Sequence, residues 1–129
     1  MIEGDTEVAI TLNHTIVPSR DKERSAAFLA RIMGLPEPGR ASHFVQVRIN
    51  NHLALDYDNR ENFEGHHYAF VVDDAQFDEI FGRLKAEQVP YGAGPSNPRD
   101  GQINSRRGGR GLYFSDPDGH LMEIMTVPE

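Results

Sequence analysis

No cysteine occurs among the 129 residues, which excludes a disulfide framework, a thiolate metal site and a cysteine nucleophile. Any bound metal must sit on nitrogen and oxygen. Long apolar runs are also missing, and none approaches the roughly 20 residues a membrane-spanning helix needs. The stretch from Met1 to Glu7 is acidic and has no apolar core, so it reads as neither a secretory signal nor a transit peptide. The expectation is a cytoplasmic protein with no membrane partner. Positive charge is scarce too: 20 acidic residues against 13 basic ones leave a formal net charge of -7, the wrong sign for a nucleic-acid surface. A small-molecule substrate is expected instead. The length suits one domain, residues 1–129.

What is present is a pattern of strands and helices that runs twice. From Val8 to Val17, Ile10, Leu12, His14 and Ile16 alternate with their neighbours at the period of two that marks a strand. Pro18 is expected to end it and Ser19 to cap a helix over Arg20–Met33, which Gly34 stops. Leu35–Gly39 reads as a rigid connection. Two strands follow, near Phe44–Ile49 and Leu53–Tyr57, with Asn50-Asn51 as a tight turn. After a polar connector the pattern restarts with a strand through His67–Val72. Asp73 and Gln76 form a box-like helix start, and Phe77, Ile80, Phe81 and Leu84 make an amphipathic stripe. A loop from Gly94 to Arg110 then leads to strands near Gly111–Phe114 and Leu121–Val127 around the turn Ser115–Gly119. The halves are about 7–58 and 66–127.

Aligning the halves pairs His14 with His67, an offset of 53. Pairing His52-Leu53-Ala54-Leu55 with His120-Leu121-Met122-Glu123 gives 68. The difference is an insertion, placed in the Gly94–Arg110 loop. A metal held between the halves would collect His14, His67 and Glu123, with Leu55 closing the fourth corner as an apolar group. Two imidazoles and a carboxylate suit Fe2+ or Mn2+, and Zn2+, Ni2+ or Co2+ would also accept them. Taken singly, each histidine reads equally as a core or rim residue. Glu123, flanked by apolar residues, needs a metal or an ionic partner.

The chain resembles the vicinal oxygen chelate superfamily, which includes glyoxalase I, fosfomycin-resistance transferases, bleomycin-resistance proteins and extradiol dioxygenases. The resemblance rests on Leu12-Asn13-His14, His67-Tyr68-Ala69-Phe70 and the run Tyr113–Ile124, and it spans about Val8 to Val127. It implies an α+β fold of two βαβββ modules with mixed sheets curved around a metal-binding crevice, usually in a homodimer, with His14, His67 and Glu123 as the metal ligands. Glyoxalase-type members carry a fourth ligand where this chain has Leu55. A three-ligand site is closer to the dioxygenases and the fosfomycin transferases. Ile16 replaces the threonine expected in the transferases, and the best-known dioxygenases have four modules where this chain has two.

The activity this implies is that of a metal-dependent, dioxygenase-like enzyme acting on a small oxygen-chelating substrate. A glyoxalase-like lyase or thiol transferase is the alternative within the family. A metal-free, bleomycin-resistance-type binding protein is the alternative outside catalysis. His66 and Tyr113 are candidate acid or base groups beside the metal. Arg99, Arg106, Arg107 and Arg110 are candidates to clamp an anionic substrate, and the same residues could simply solvate the loop.

Overall fold

The computed structural model describes residues 9–129. Glu7 and Val8, at the expected start of the first half, lie outside the described residues. The first half contains β1 (His14–Ser19), α1 (Lys22–Met33), β2 (Gly39–Ala41), β3 (Phe44–Arg48) and β4 (Ala54–Asn59). The second contains β5 (His67–Val71), α2 (Asp74–Ala86), β6 (Gly111–Ser115) and β7 (Leu121–Met125). One mixed sheet has the order β1-β4-β3-β2 and the other β5-β7-β6. In each, the strand before the helix pairs in parallel with the last strand of its half.

Several elements depart from their expected bounds for identifiable reasons. β1 does not end at Pro18 but runs through it to Ser19. It is an edge strand, and the Pro18 carbonyl turns away from β4 to accept from His120, so the missing N–H costs no ladder bond. The helix cap is Asp21 rather than Ser19: its carboxylate accepts from the Arg24 amide at 3.2 Å. Ser19 is buried, and its hydroxyl donates to that of Ser25 at 3.0 Å. Gly34 ends α1 with a φ of 70°, as expected of a left-handed cap. Asn50 turns the β3–β4 connection through its side chain, whose carbonyl accepts from the His52 and Leu53 amides, rather than through positive φ. The cap of α2 forms as read, with Asp73 and Gln76 in a reciprocal capping box.

The second half has one regular strand fewer than the expected βαβββ. Where a fourth strand would pair, the Gly- and Pro-rich loop contributes only isolated bridges, Gly92 to Tyr113 and Asn104 to Gly111.

The two halves share a core. Val17, Val45, Val47, Leu55 and Tyr57 from the first sheet, Leu112, Phe114, Met122 and Ile124 from the second, and Leu29, Ile32, Phe77, Ile80 and Leu84 from the helices form one buried cluster. Each sheet therefore spends one face on this core and turns the other outward. That division decides where every candidate site residue goes.

Candidate metal centre

On the second sheet the outward face carries three rows of residues. Ser115, Leu121 and His67 are in register, then Tyr113, Glu123 and Ala69, then Gly111, Met125 and Val71. The start of β5 is fixed by its neighbours. The His66 amide donates to His120 Nδ1 at 2.9 Å and its carbonyl accepts from the Leu121 amide at 2.8 Å. Gly65 permits the close approach, since a Cβ there would lie 2.7 Å from the Gly119 carbonyl oxygen. This places His67 Nε2 3.0 Å from Glu123 Oε1. Glu123 is only 3% exposed, and among the described residues its ion-pair partner is that imidazole. A buried carboxylate faced by a half-exposed imidazole is a donor pair that fits a divalent cation. Tyr113 stands across from Glu123, its ring 5.9 Å from that of His67. Burial holds the Tyr113 phenol above its ordinary pKa and the neighbouring Glu123 adds to this, while the hydrogen bond from Arg106 opposes it.

On the first sheet the outward face holds His14, Ala54 and Arg48 in one row and Ile16, Asp56 and Gln46 in the next. His14 is exposed, with Nδ1 2.8 Å from Asn13 Oδ1. Its ring nitrogens do not come within 4.8 Å of the donor atoms of both His67 and Glu123 in the same chain. The expected triad is thus divided: His67 and Glu123 meet, and His14 stands apart on the other outward face.

The fourth position differs from the alignment. Measured through strand register, His14 opposes Ala54 as His67 opposes Leu121, and Ile16 opposes Asp56 as Ala69 opposes Glu123. The true offset in the last strands is 67, so Asp56 is the counterpart of Glu123. Leu55 points the other way, into the shared core, 3% exposed. It lines no crevice, because a slip of one residue in a strand exchanges its faces.

The sequence matches the Glyoxalase/Bleomycin resistance protein/Dioxygenase superfamily over residues 11–124. The chain belongs to this superfamily. Among solved structures it is similar to the oxidase ChaP-H1, at 46% identity over 93% of this chain and 98% of that one, with a TM-score of 0.89. It is 26% identical over 122 residues to the metallothiol transferase FosB of Lysinibacillus sphaericus, covering 90% of this chain and 82% of the relative. The fold likeness extends to the fosfomycin resistance protein FosX of Listeria monocytogenes, at 23% identity, 92% and 93% coverage and a TM-score of 0.70.

Within this superfamily fold the remaining candidates are dispersed. His66 precedes His67 and so points to the opposite face. Its ring lies 6.2 Å from that of Tyr68 and 5.7 Å from that of His120, away from Glu123. Of the four arginines, Arg106 reaches the site: its Nη1 donates to the Tyr113 hydroxyl at 2.6 Å. Arg110 instead donates to Asp78 and Asp74 on α2, at 2.7 and 3.0 Å, and lies over the Phe77 ring. It ties the loop to the helix rather than facing a substrate. Arg107 is 4.0 Å from Glu129, and Arg99 is exposed on the loop.

The segment Asp116-Pro117-Asp118-Gly119-His120, whose first four residues fall in the turn read from the sequence, is a buried polar joint between the halves. Asp118 accepts from the Arg20 amide at 2.9 Å and from the Ser25 hydroxyl at 2.6 Å. His120 accepts at Nδ1 from His66 and therefore carries its proton on Nε2, which donates to the Pro18 carbonyl at 2.8 Å. With both nitrogens engaged, His120 has no lone pair for a metal, although Asp116, Asp118 and His120 lie close together. Asp116 Oδ1 accepts from the Asp118 and His120 amides, but Oδ2 is buried without a partner among the described residues, as is the Tyr57 hydroxyl.

Burial raises the Asp116 pKa. A carboxyl whose folded pKa exceeds its unfolded one favours folding at low pH and loses that contribution as pH rises through the folded value. Asp116→Asn keeps the Oδ1 acceptor and removes the charge. It should raise Tm by a few degrees at about pH 7, and the gain over the parent should close as pH falls towards about 4. Thermal melts of the two proteins across that range check this.

Proposed function

We propose that this chain is a divalent-metal enzyme of dioxygenase-like chemistry, acting on a small substrate with adjacent oxygens, and that its metal centre is shared by two copies of the chain. The observation that carries the reading is the buried Glu123 carboxylate beside His67, on an outward face where, among the described residues, no third His, Asp or Glu completes a cluster with them.

His14 supplies the missing donor from a second copy. Among the described residues β1 and β5 are both sheet edges, and each begins with one of the histidines. Ile10 and Leu12 just ahead of β1, Ile16 on it and Val71 on β5 are 83%, 67%, 40% and 57% exposed. Unpaired apolar edges of this kind call for a cover. Setting β1 of one copy against β5 of another covers them and brings His14 to His67 and Glu123, twice in a symmetric homodimer.

A divalent ion held there, with Fe2+ or Mn2+ the best fit and Zn2+, Ni2+ or Co2+ acceptable, would supply Lewis-acid chemistry to the chelating oxygens. The chain's own groups do the rest. Tyr113 stays protonated at neutral pH and can donate to a substrate oxygen beside Glu123. Arg106 fixes that hydroxyl and adds positive charge at the rim for an anionic substrate. The resemblance to an oxidase at 46% identity favours the dioxygenase-like reading. Thiol transfer, the activity named for the 26% identical FosB, is the second reading.

The test is elemental analysis of protein purified without chelator, with His67→Ala beside it, followed by oxygen consumption with catechol. About one Fe or Mn per chain, lost in His67→Ala, together with oxygen uptake, is the expected result. Zn or Ni without oxygen uptake would turn the reading to thiol transfer. No metal in the parent, and none taken up on titration, would end the metalloenzyme reading.

A further inference from the structure

A cavity of about 230 Å3 lies between the two halves, where Met33 and Leu35 at the end of α1, Ile49 after β3, Phe70 and Val72 at the end of β5, and Ile80 of α2 come together. Ile80 is buried. The other five pack against the shared core, yet each is only half-buried and keeps apolar surface uncovered. Two exposed side chains, Asn50 and Gln76, are the polar groups of the lining, and no charged side chain joins them. Their oxygens are already engaged. Asn50 Oδ1 accepts from the His52 and Leu53 amides at 2.8 and 2.9 Å, and Gln76 Oε1 accepts from the Asp73 amide at 3.0 Å. Among the described residues neither side-chain nitrogen has a hydrogen-bond partner, so what each amide still offers is a donor. Val71, also on the lining, is four residues from His67, about 13 Å along an extended strand.

We infer that this cavity is a second binding site, for a small neutral molecule that is apolar over most of its surface and carries one hydrogen-bond acceptor. Its occupant needs neither His67 nor Glu123, and the site is independent of the proposed metal centre. The size follows from the volume: an apolar cavity of about 150 Å3 takes benzene, so this one accepts a single ring with a short substituent. The lining sets the charge. An ion entering here would give up water and meet no group of opposite sign, which excludes carboxylates and amines. The two amides set the polar end, because donors without partners are satisfied by a carbonyl or ether oxygen and not by another N–H. The ring in turn completes the burial of Met33, Leu35, Ile49, Phe70 and Val72. Monocyclic aryl ketones and esters are the simplest molecules that meet all three conditions.

The test is titration of the nitrogen-15-labelled protein with acetophenone, with toluene as the probe that lacks an acceptor and benzoate as the charged one, followed by amide NMR spectra. Acetophenone should shift the side-chain amide signals of Asn50 and Gln76 and the backbone signals of Leu35 and Val72, saturating at submillimolar concentration. Toluene should bind several-fold more weakly, and benzoate not at all. Asn50→Asp and Gln76→Glu keep the oxygens that hold the loop and cap α2 but replace the NH2 donor by a charge. Each should weaken acetophenone binding about fivefold. Val72→Phe, which fills the cavity, should abolish it, and His67→Ala should leave it unchanged. The absence of a saturable shift overturns the inference, as does binding of benzoate as tight as that of acetophenone. Affinity unchanged in both Asn50→Asp and Gln76→Glu overturns it too. So do shifts centred on His67 and Glu123 that vanish in His67→Ala, since they would place the probe at the metal centre instead.

Discussion

Chains carrying His14→Ala and chains carrying Glu123→Ala should each fail to hold a divalent ion, and a refolded mixture of the two should recover it. Neither variant alone can build a complete centre if His14 comes from one copy and His67 and Glu123 from the other. In a mixed dimer one of the two centres takes His14 from the Glu123→Ala chain and His67 and Glu123 from the His14→Ala chain, and is intact. The second centre lacks both. Random pairing makes about half of the dimers mixed, so recovery should approach about one ion per four chains. Elemental analysis of the mixture, set against each variant refolded alone, reads this directly. Recovery of nothing would place all ligands within one chain, and an ion retained by His14→Ala alone would remove His14 from the set. The physical basis is the shared core: Val17, Leu55 and Tyr57 commit one face of the first sheet to it, and Phe114, Met122 and Ile124 one face of the second. The faces bearing His14 and His67 are thereby turned away from the contact that joins the halves.

The same core sets the second large effect. Phe114→Ala should destabilise the protein by about 3–5 kcal/mol, the usual cost of truncating a fully buried phenylalanine. Phe114 has no exposed surface, and its ring lies 6.2 Å from that of Phe28 on α1, so it packs the second sheet against the first helix. Domains of this size are stable by only about 5–15 kcal/mol, so the variant should unfold at much lower urea concentration. Urea titration followed by fluorescence or circular dichroism measures the shift in midpoint. Phe114→Leu, which keeps most of the volume, should cost markedly less. A small effect from Phe114→Ala would mean that the halves are held chiefly by the polar joint at Asp116–His120.

That joint and the candidate ligands were legible to different degrees. Alternation through Ile10–Ile16 announced a strand that forms only from His14 on, alternation through His67–Val71 announced β5, the Asp73–Gln76 box announced α2, and His14, His67 and Glu123 stood out as metal-competent groups on strands. These are local properties, written in the spacing of a few neighbouring residues. Asp56, next to Leu55, is set aside by the sequence alignment as pointing to the opposite face, because pairing His52 with His120 slips the register by one residue and exchanges core face for outward face. The passage of β1 through Pro18 was hidden for another reason: proline breaks strands that are paired on both sides, and only the sheet order reveals that β1 is an edge.

The amino-acid sequence by itself determined the twofold order of strands and helices, the nitrogen-and-oxygen character of any metal site, and the strand positions of His67 and Glu123, since composition and periodicity act residue by residue, while the fold class followed from the resemblance of its motifs to a known superfamily. Tertiary structure alone decided that Leu55 is core and Asp56 is not, that Arg110 braces α2 while Arg106 reaches Tyr113, and that His14 lies apart from its expected partners. Those outcomes depend on which face of each sheet the common core consumes, a choice made between segments tens of residues apart.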